Sequence, residues 1–300
     1  MNSGQFVNLY DKNYEKIFYN ALGKDTPIYD IVMNVKNIDG QYTKMDGVTG
    51  TTLIPKATGE GSEYALDQIF MKNGKTFTPS TRKVRVRITQ EAYEDDKTNS
   101  LSMVPMMLGE SLGATTEQEV AYIFDRAQNG SYTGPDGKVL AATDHTFSDG
   151  SGNTWSNRPS TNSALTLTAL EAAITNIKNT PNDRNIKLKL IPKILMVSQT
   201  DEIAARKILE SKETLTQDKI SNVVSTMGLR LVVNPYMNDT TRAWVLLTDK
   251  EYHQLMLVWR IKPTQKMDAD INTDDVLYKC RSRFDSGWVD ARGGYQSQAV

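Results

Sequence analysis

The stretch Gly47–Asp96 reads GVTGTTLIPKATGEGSEYALDQIFMKNGKTFTPSTRKVRVRITQEAYEDD. Its later part alternates apolar and polar side chains from Lys83 to Thr89, which is the period of a strand with one buried face. The part before this strand is too polar and too rich in glycine to bury a core of its own. A connection of this length inside a compact domain is usually functional or disordered. We therefore predict an extended excursion that finds its packing partner on another subunit.

The composition excludes several classes of protein. The 300 residues include 35 Lys and Arg against 36 Asp and Glu, a net charge of -1, whereas a protein that mainly grips nucleic acid usually has a basic excess. Cys280 is the single cysteine, so an intrachain disulfide is excluded, and we expect a small buried residue in a strand. No signal-peptide pattern and no apolar run of roughly 20 residues occur. These features are compatible with a reducing cytoplasm.

Helical patterns stand on both sides of the excursion. Residues 8–23 have apolar side chains at helical spacing and a glycine stop, and this helix packs either on its own domain or on a neighbouring subunit. Pro27–Ile38 favours a strand. The longest helical pattern runs from about Leu101 to Gln128. Gly109 and Gly113 within it indicate a bend or a close crossing, because glycine costs about 1 kcal/mol relative to alanine inside a helix.

The C-terminal half alternates helices and strands. Thr168 is the predicted N-cap of one helix, and Asp201 or Thr200 caps the next. The predicted strands are Lys193–Val197, Leu229–Val233, Ala243–Leu247 and Leu255–Trp259. Helices and strands together form one mixed subdomain of roughly 130 residues. A last alternating run starts at Val276, and we expect it to pair with Lys83–Thr89 beneath the long helix.

Motifs for nucleotide or acyl chemistry are missing, since the chain has no GxGxxG, GxxxxGK[ST] or GxSxG. A hydrolase that uses Asp144, His145 and Asp149 is an alternative, but a catalytic base needs a nucleophile or water within reach. His145 has no evident partner, and residues 141–163 are predicted to form an exposed loop with Asx turns. The acidic cluster Glu91–Asp96 lacks the converging ligands of a hard-cation site. The sequence predicts no enzyme, catalytic residue, cofactor or metal.

An ordered set of segments carries a resemblance to a known family. The segments are Arg85-Val86-Arg87-Ile88-Thr89, Tyr93-Glu94-Asp95-Asp96, Leu108-Gly109, Asp136-Gly137, Asp144-His145, Trp155-Ser156-Asn157, Pro192–Val197, Ala204-Ala205-Arg206, Gly287-Trp288-Val289-Asp290 and Arg292-Gly293. Their order resembles that of the major capsid protein of tailed bacteriophages, the Johnson fold. From about Met45 onward the chain is most similar to the major head subunit of Mu-like phages and prophages.

The resemblance implies an α+β fold with an N-terminal arm, an extended β-hairpin loop, a long spine helix with a peripheral sheet, and a mixed α/β axial subdomain. The arm and its helix would span residues 1–40 and the loop residues 41–81. The peripheral subdomain with the spine helix would span 82–134 and the axial subdomain 135–270. Residues 271–300 would form a strand that returns to the peripheral subdomain.

The resemblance further implies a major capsid protein that self-assembles into hexamers and pentamers of an icosahedral shell around double-stranded DNA. Implied partners are other copies of the chain, a scaffolding protein, a portal and a decoration protein, with DNA bound weakly and non-specifically and no membrane. The protein would belong to the virion after assembly in the host bacterial cytoplasm. Another self-assembling phage protein, a tail tube or sheath, is the alternative. Candidate intersubunit contacts are Lys56, Glu60, Lys72, Lys75, Arg82, Arg85, Arg87, Glu94, Asp95 and Asp96.

Overall fold

The computed structural model of the chain describes residues 14–23, 26–56, 59–61, 63–97, 100–211, 222–270, 273 and 275–299. Residues 14–22 are helical and are called α1. The other helices are α2 (Ile28–Val32), α3 (Gln90–Glu94), α4 (Met103–Asp125), α5 (Leu167–Asn179) and α6 (Glu202–Glu210). The strands are β1 (Asn34–Asn37), β2 (Thr43–Val48), β3 (Met71–Phe77), β4 (Ser80–Ile88), β5 (His145–Thr146), β6 (Thr154–Trp155), β7 (Pro192–Val197), β8 (Arg230–Val233), β9 (Ala243–Thr248), β10 (Leu255–Ala269), β11 (Val276–Trp288) and β12 (Gly294–Gln298).

One four-stranded sheet, in the order β1-β10-β11-β4, joins segments from both ends of the chain. β4 pairs antiparallel with β11, with Val84 opposite Cys280, so the predicted pairing is confirmed. The predicted end of β10 at Trp259 is wrong, because the strand continues to Ala269. The residues after Trp259 are mostly polar and include Pro263, which hides a strand from an apolar pattern. Continuous pairing with β11, with register shifts around Pro263, holds this part of β10 in the sheet.

A second four-stranded sheet, in the order β12-β9-β7-β8, packs with α5 and α6. The strands predicted for this region are confirmed. The N-cap of α5 is Thr166 rather than Thr168, since the Thr166 hydroxyl accepts the N–H of Ala169. Strand β12 lies in the segment 271–300 that is expected to return to the peripheral subdomain, yet it pairs with β9 of the second sheet. Gly293 has a φ of 82°, a conformation open to glycine, and turns the chain into this sheet.

The two sheets cut across the predicted subdomain boundaries. β10 lies within the predicted axial segment 135–270, but it pairs with β11 in the first sheet. β12 lies within the predicted return segment 271–300, but it belongs to the second sheet. One hydrophobic cluster contains buried side chains of α4, β7, β9, β10 and β11, so the two sheets share a core. The chain therefore passes between the sheets at the turn from β11 to β12.

Helix α4 lies along β11 of the first sheet. Its Leu108 and Leu112 pack in one cluster with Tyr278 and Cys280 of β11. An ion pair of 2.7 Å between Arg82 of β4 and Glu119 adds a polar contact across the same interface. The long helix above a sheet made from both ends of the chain is therefore confirmed.

Helix α1 crosses α4 at Gly109. A Cβ at Gly109 would lie 2.6 Å from the backbone oxygen of Phe18, whereas a Cβ at Gly113 would have Leu22 Cδ1 as its nearest neighbour at 3.6 Å. Of the two predicted alternatives, a bend or a close crossing, the structure shows a close crossing, and it lies at Gly109. Phe18 is fully buried in the cluster beneath α4, so the described part of this helix packs on its own domain.

The segment Pro27–Ile38, predicted as a strand, is divided into α2 and β1. The Glu117 carboxylate of α4 lies 3.3 Å from the backbone N–H of Tyr29 and accepts its hydrogen bond. This contact caps the N-terminus of α2 from another helix. The prediction fails here because a tertiary contact overrides the local preference for strand. Burial raises the pKa of Glu117 to about 7.

Replacement of Gly109 by alanine should destabilise the protein by about 1–3 kcal/mol, because the added methyl group would collide with the backbone of α1. Gly113→Ala is the matched control on the same helix. It has room for a methyl group and should gain up to about 1 kcal/mol from helix propensity. Urea unfolding of the two variants measures the difference. Equal stabilities would contradict the close crossing.

Glu117→Gln should change how stability depends on pH. The pKa of Glu117 in the folded chain, about 7, is above its ordinary value of 4.5, so wild-type stability falls as pH rises through this interval. The amide keeps an acceptor for Tyr29 and cannot ionise. The variant should be more stable than the wild type by about 1–2 kcal/mol at pH 8, after allowance for partial solvent exposure, and similar to it at pH 4.5. Urea unfolding between pH 4.5 and pH 8 measures this difference, and replacement of the exposed Glu110 by glutamine is the control. If the stability of Glu117→Gln depended on pH as that of the wild type does, the prediction would be contradicted.

Candidate assembly surface

Strands β2 and β3 form an antiparallel hairpin, with Thr43 opposite Phe77 and Val48 opposite Met71. Phe77 at its base is fully buried, and its ring lies against Gly287 of β11. Residues 49–70, which we call the hairpin tip, connect the two strands. The described part of the tip contains no strand. The predicted excursion therefore has an ordered two-stranded base.

Four charged side chains, Lys72, Asp183, Asp290 and Arg292, hold the base of the hairpin and are called the root cluster. Lys72 Nζ of β3 lies 2.5 Å from Asp183 Oδ2 and 3.0 Å from Asp290 Oδ2. Arg292 lies 2.9 Å from each of the same two carboxylates. Asp183 and Arg292 are buried, so the root cluster joins the hairpin to the α5–β7 and β11–β12 connections through charges with little access to water.

The two carboxylates of the root cluster stay ionised. Burial by itself would raise the pKa of Asp183 and of Asp290, but Arg292 and Lys72 lower each pKa below its ordinary value. A buried ion pair contributes modestly to stability, whereas removal of one partner leaves an uncompensated charge. The root cluster is therefore difficult to open at neutral pH.

Arg184 holds the hairpin tip, and its contacts are called the tip latch. Its guanidinium donates to the backbone oxygen of Gly50 at 3.3 Å and to Asp67 Oδ1 at 3.4 Å. The same group lies 5.0 Å from the ring centroid of Phe70. Asp67 also accepts the N–H of Thr52 at 2.8 Å. Two sides of the tip are thereby tied to each other and to the loop after α5.

The tip presents large apolar side chains to solvent. Ile54 is 95% exposed, Tyr64 is 100% exposed and Leu66 is 93% exposed. Leu53 and Ile69 are also exposed. Scattered exposed apolar residues are ordinary, but a contiguous group marks an interaction surface. The tip therefore offers an apolar surface that its own subunit leaves uncovered among the residues described.

The predicted contact residues of the hairpin divide between its tip and its base. Lys56 and Glu60 are exposed at the tip. Lys72 belongs to the root cluster, where it is engaged within its own chain. Lys75 donates to the backbone oxygen of Thr133 at 3.3 Å and lies 5.7 Å from the ring centroid of Trp288. Lys72 and Lys75 therefore orient the hairpin, while Lys56 and Glu60 stay accessible.

The predicted arginines of β4 differ in their partners. Arg82 pairs with Glu119, and Arg87 pairs with Asp275. Arg85 is exposed, and its side chain forms no hydrogen bond or ion pair with the residues that the structure describes. Of the three arginines, Arg85 is therefore the one whose side chain is not engaged within the described part of the chain.

Two of the three predicted acidic residues after β4, Glu94 and Asp96, accept hydrogen bonds from nearby residues of the same chain. Gln90 donates to Glu94 Oε1 at 2.8 Å. Asp96 accepts the backbone N–H groups of Ser100 and Leu101 at 3.1 and 2.8 Å, at the start of the turn that leads into α4. Asp95 is exposed. Contact of the predicted set with a neighbouring subunit stays a prediction.

His145 has a structural role. It is fully buried, its Nδ1 lies 2.6 Å from Asp136 Oδ2, and its ring is stacked on Trp155. The expectations of no partner for His145 and of a wholly exposed loop are therefore wrong, because this loop folds over the core through the β5–β6 pair. Asp144 pairs instead with Lys138, and Asp149 forms the predicted Asx turn with Ser151. The three residues of the hydrolase alternative thus have three different partners, Asp136 for His145, Lys138 for Asp144 and Ser151 for Asp149.

The residues that the structure describes show neither a metal-binding cluster nor a membrane-spanning helix. They contain no group of three or more His, Cys, Asp or Glu side chains that could hold a metal ion. None of their helices combines the length and the apolar character needed to cross a membrane.

A family model described as "Phage capsid protein" matches residues 72–297. The chain belongs to the phage capsid protein family. The match begins at Lys72 of the root cluster and ends within β12, so it includes α4, the second sheet up to Ser297 and all strands of the first sheet except β1. No curated protein sequence matches the chain.

Solved structures of capsids share the fold of this family member. The capsid of the cyanophage P-SCSP1u is 12% identical with a TM-score of 0.64, over 92% of this chain and 88% of that one. The mature capsid of bacteriophage PhiM1 is 10% identical with a TM-score of 0.63, over 92% and 88%. A virus-like particle from Pyrococcus furiosus is 11% identical with a TM-score of 0.58, over 96% and 99%. These likenesses confirm the predicted α+β Johnson fold.

Sequence reasoning missed most of the residues that position the hairpin. Asp290 and Arg292 lie in segments that carry the family resemblance, but no role in placing the hairpin was predicted for them or for Asp183 and Arg184, and only Lys72 was among the predicted contacts. They meet because the α5–β7 and β11–β12 connections lie side by side in the fold. No local pattern marks such a cluster.

Asp183→Asn should loosen the hairpin. Lys72 and Arg292 would lose a buried charged partner, which typically costs about 3–5 kcal/mol. Hydrogen exchange at pH 7 should then accelerate in β3 and in the tip. The control is Asp46→Asn on the same hairpin, since Asp46 pairs with an exposed Lys44 at 3.0 Å and such pairs contribute about 0–1 kcal/mol.

Acid should have the same effect on the wild type. Folding lowers the pKa values of Asp183 and Asp290. The stability that their ionised carboxylates contribute is therefore fully present above the ordinary carboxyl pKa, and it is lost as the pH falls through the lower pKa values of the folded chain. Exchange corrected for its intrinsic pH dependence should rise in the hairpin below about pH 4. A hairpin that stays protected in acid and in Asp183→Asn would refute the role of the root cluster.

Proposed function

We propose that this member of the capsid family is a major capsid subunit that self-assembles into a closed icosahedral shell. The observation that carries the proposal is the hairpin tip, whose apolar side chains are held away from the core by the root cluster and the tip latch. A surface of this kind costs free energy in an isolated subunit and gains it when a partner covers it.

In this proposal the tip lies over an adjacent subunit, and the subunits form hexamers and pentamers. Each contact is weak by itself. Closure of the shell makes the contacts depend on one another, as in other multivalent assemblies. The accessible residues Lys56, Glu60 and Arg85 contribute to the register between copies.

The shell would enclose double-stranded DNA. The net charge of the subunit is -1, which suits a container that holds DNA weakly and without sequence specificity, because each phosphate contact adds salt-dependent affinity. A scaffolding protein, a portal and a decoration protein are the further partners proposed. The protein would be part of the virion, after assembly in the bacterial cytoplasm. The finer likeness to Mu-like head subunits rests on the sequence segments alone.

Electron microscopy of purified protein tests the proposal. The wild type should form closed shells, whereas Ile54→Asp combined with Leu66→Asp should give folded subunits that do not assemble, since charged groups cannot be buried at the contact. Ile203→Asp on α6 is the control, because Ile203 is also exposed, at 68%, but lies outside the hairpin. Its shells should be normal.

Two outcomes would overturn this reading. Helical tubes formed by the wild type would support a tail tube or sheath subunit instead. Normal shells formed by the variant that combines Ile54→Asp with Leu66→Asp would show that the tip is not part of the assembly contact. Thermal unfolding of each variant separates loss of assembly from loss of the fold.

A further inference from the structure

Three residues from separate segments of the chain meet at one buried position, and the proposed function uses none of them. His145 of β5 is fully buried. Its Nδ1 lies 2.6 Å from Asp136 Oδ2, and its Nε2 lies 3.2 Å from Asn157 Oδ1. We call His145, Asp136 and Asn157 the histidine cluster. Both nitrogens of its ring therefore face an oxygen of another side chain.

The hydrogen bonds of Asn157 fix which end of its side-chain amide faces the ring. Its Nδ2 donates to the backbone oxygen of Leu140 at 2.7 Å, and its Oδ1 accepts the N–H of Ala142 at 2.9 Å. A flipped amide would place an oxygen against a carbonyl and an amino group against an N–H. The amide oxygen therefore faces His145. Because this oxygen can only accept, Nε2 of the ring must carry a proton.

The other ring nitrogen also needs a proton. Nδ1 of His145 and the carboxylate of Asp136 are 2.6 Å apart, as short as a charge-assisted hydrogen bond. Without a proton between them, two lone pairs would face each other. An imidazole is a stronger base than a carboxylate, so this proton belongs to the ring. The ring is then a cation whose charge is balanced by Asp136, which makes its burial tolerable.

The other charged groups near the ring have partners of their own among the residues described. Asp144, the neighbour of His145 in the chain, pairs with Lys138. Arg292 lies over the ring of Trp155, 5.0 Å from its centroid, and is held by the two carboxylates of the root cluster. The ring of His145 stacks on Trp155 with centroids 4.6 Å apart, and the face of an indole attracts a cation.

The β5–β6 pair connects the histidine cluster with the root cluster. Trp155 lies directly opposite His145 in this pair, and it carries the guanidinium of Arg292. The backbone N–H of Ser148, just after β5, donates to Asp183 Oδ1 at 3.1 Å. Two of the four members of the root cluster thus rest on the loop that His145 holds in place.

We propose that Asp136 and Asn157 hold His145 as a buried imidazolium, and that its proton locks the β5–β6 loop onto the root cluster. Loss of the proton sets a lone pair of the ring against an oxygen of Asp136 or Asn157, and one hydrogen bond of the cluster is lost. The loop loosens, and the base of the hairpin loosens with it. Since the folded chain binds this proton, the lock weakens as the pH rises. The inference concerns the single subunit and does not rest on the proposed function.

Nitrogen-15 NMR of the histidine rings tests the protonation state directly. The chain contains two histidines, and His253 is the internal reference. Neither of its ring nitrogens has a hydrogen-bond partner among the described residues, and burial, with the charge of Lys250, lowers its pKa to about 4. At about pH 7.5, where an ordinary exposed imidazole is mostly neutral, His253 should be neutral and His145 should carry a proton on both nitrogens. A neutral His145 would overturn the proposal.

Asp136→Asn separates the effect of the carboxylate from that of burial. The new amide can donate to Nδ1 of His145, so the ring should become neutral at Nδ1 while both of its hydrogen bonds remain. Asp144→Asn is the matched control, because Asp144 adjoins His145 but pairs with Lys138. Its ring should keep both protons. If Asp136→Asn kept both protons as well, Asp136 would not hold the charge and the proposal would be wrong.

Hydrogen exchange of unassembled subunits tests the lock. As NMR shows His145 losing its proton in alkaline solution, amides of β3 and of the β5–β6 pair should lose roughly tenfold more protection in the wild type than in Asp136→Asn, where the ring is neutral throughout. Other titrating groups, Glu117 among them, are present in both proteins and cancel in this comparison. Equal loss of protection in the two proteins would overturn the lock.

Discussion

The buried charges that surround Lys72 decide where the hairpin points. Asp183 and Asp290 each contact both Lys72 and Arg292, so a single cluster connects β3, the loop after α5 and the turn from β11 to β12. Because these charges are largely shielded from water, they resist separation. The direction of the hairpin, and with it the apolar tip, is therefore fixed by contacts within the subunit itself. A preorganised contact of this kind loses less conformational entropy on binding than a mobile one.

The elements of the fold follow from sequence periodicity where one face of an element is buried. The alternation of Lys83–Thr89 and of the run from Val276 correctly gives two paired strands, and the long helical pattern gives α4. Sequence periodicity gives no signal where the burial pattern of an element is weak. The second half of β10 exposes many of its side chains, and α2 depends on a cap from Glu117 rather than on its own residues. Such features are set by tertiary contacts.

The exposed hairpin is predictable from the sequence in outline, whereas the contacts that orient it are not. A long polar and glycine-rich excursion beside a charged strand indicates that a partner is needed, and both the tip and β4 are exposed as this idea requires. The residues that orient the excursion, Asp183 and Asp290, lie more than a hundred positions from Lys72 in the sequence. A single sequence has no signal for a contact at that separation. Likewise, the cross-strand row Arg85-Lys279-Lys266 appears only when the register of three strands is known.

The first sheet takes its outer strands β1 and β4 from the beginning of the chain and its inner strands β10 and β11 from the end. During synthesis the early strands have no partner until almost the whole chain has left the ribosome. Non-local pairing of this kind slows folding and leaves unpaired edges exposed for longer. The alternating lysines and arginines of β4 keep such an edge soluble in the meantime. The same charges would thus protect each nascent subunit from premature association with its neighbours.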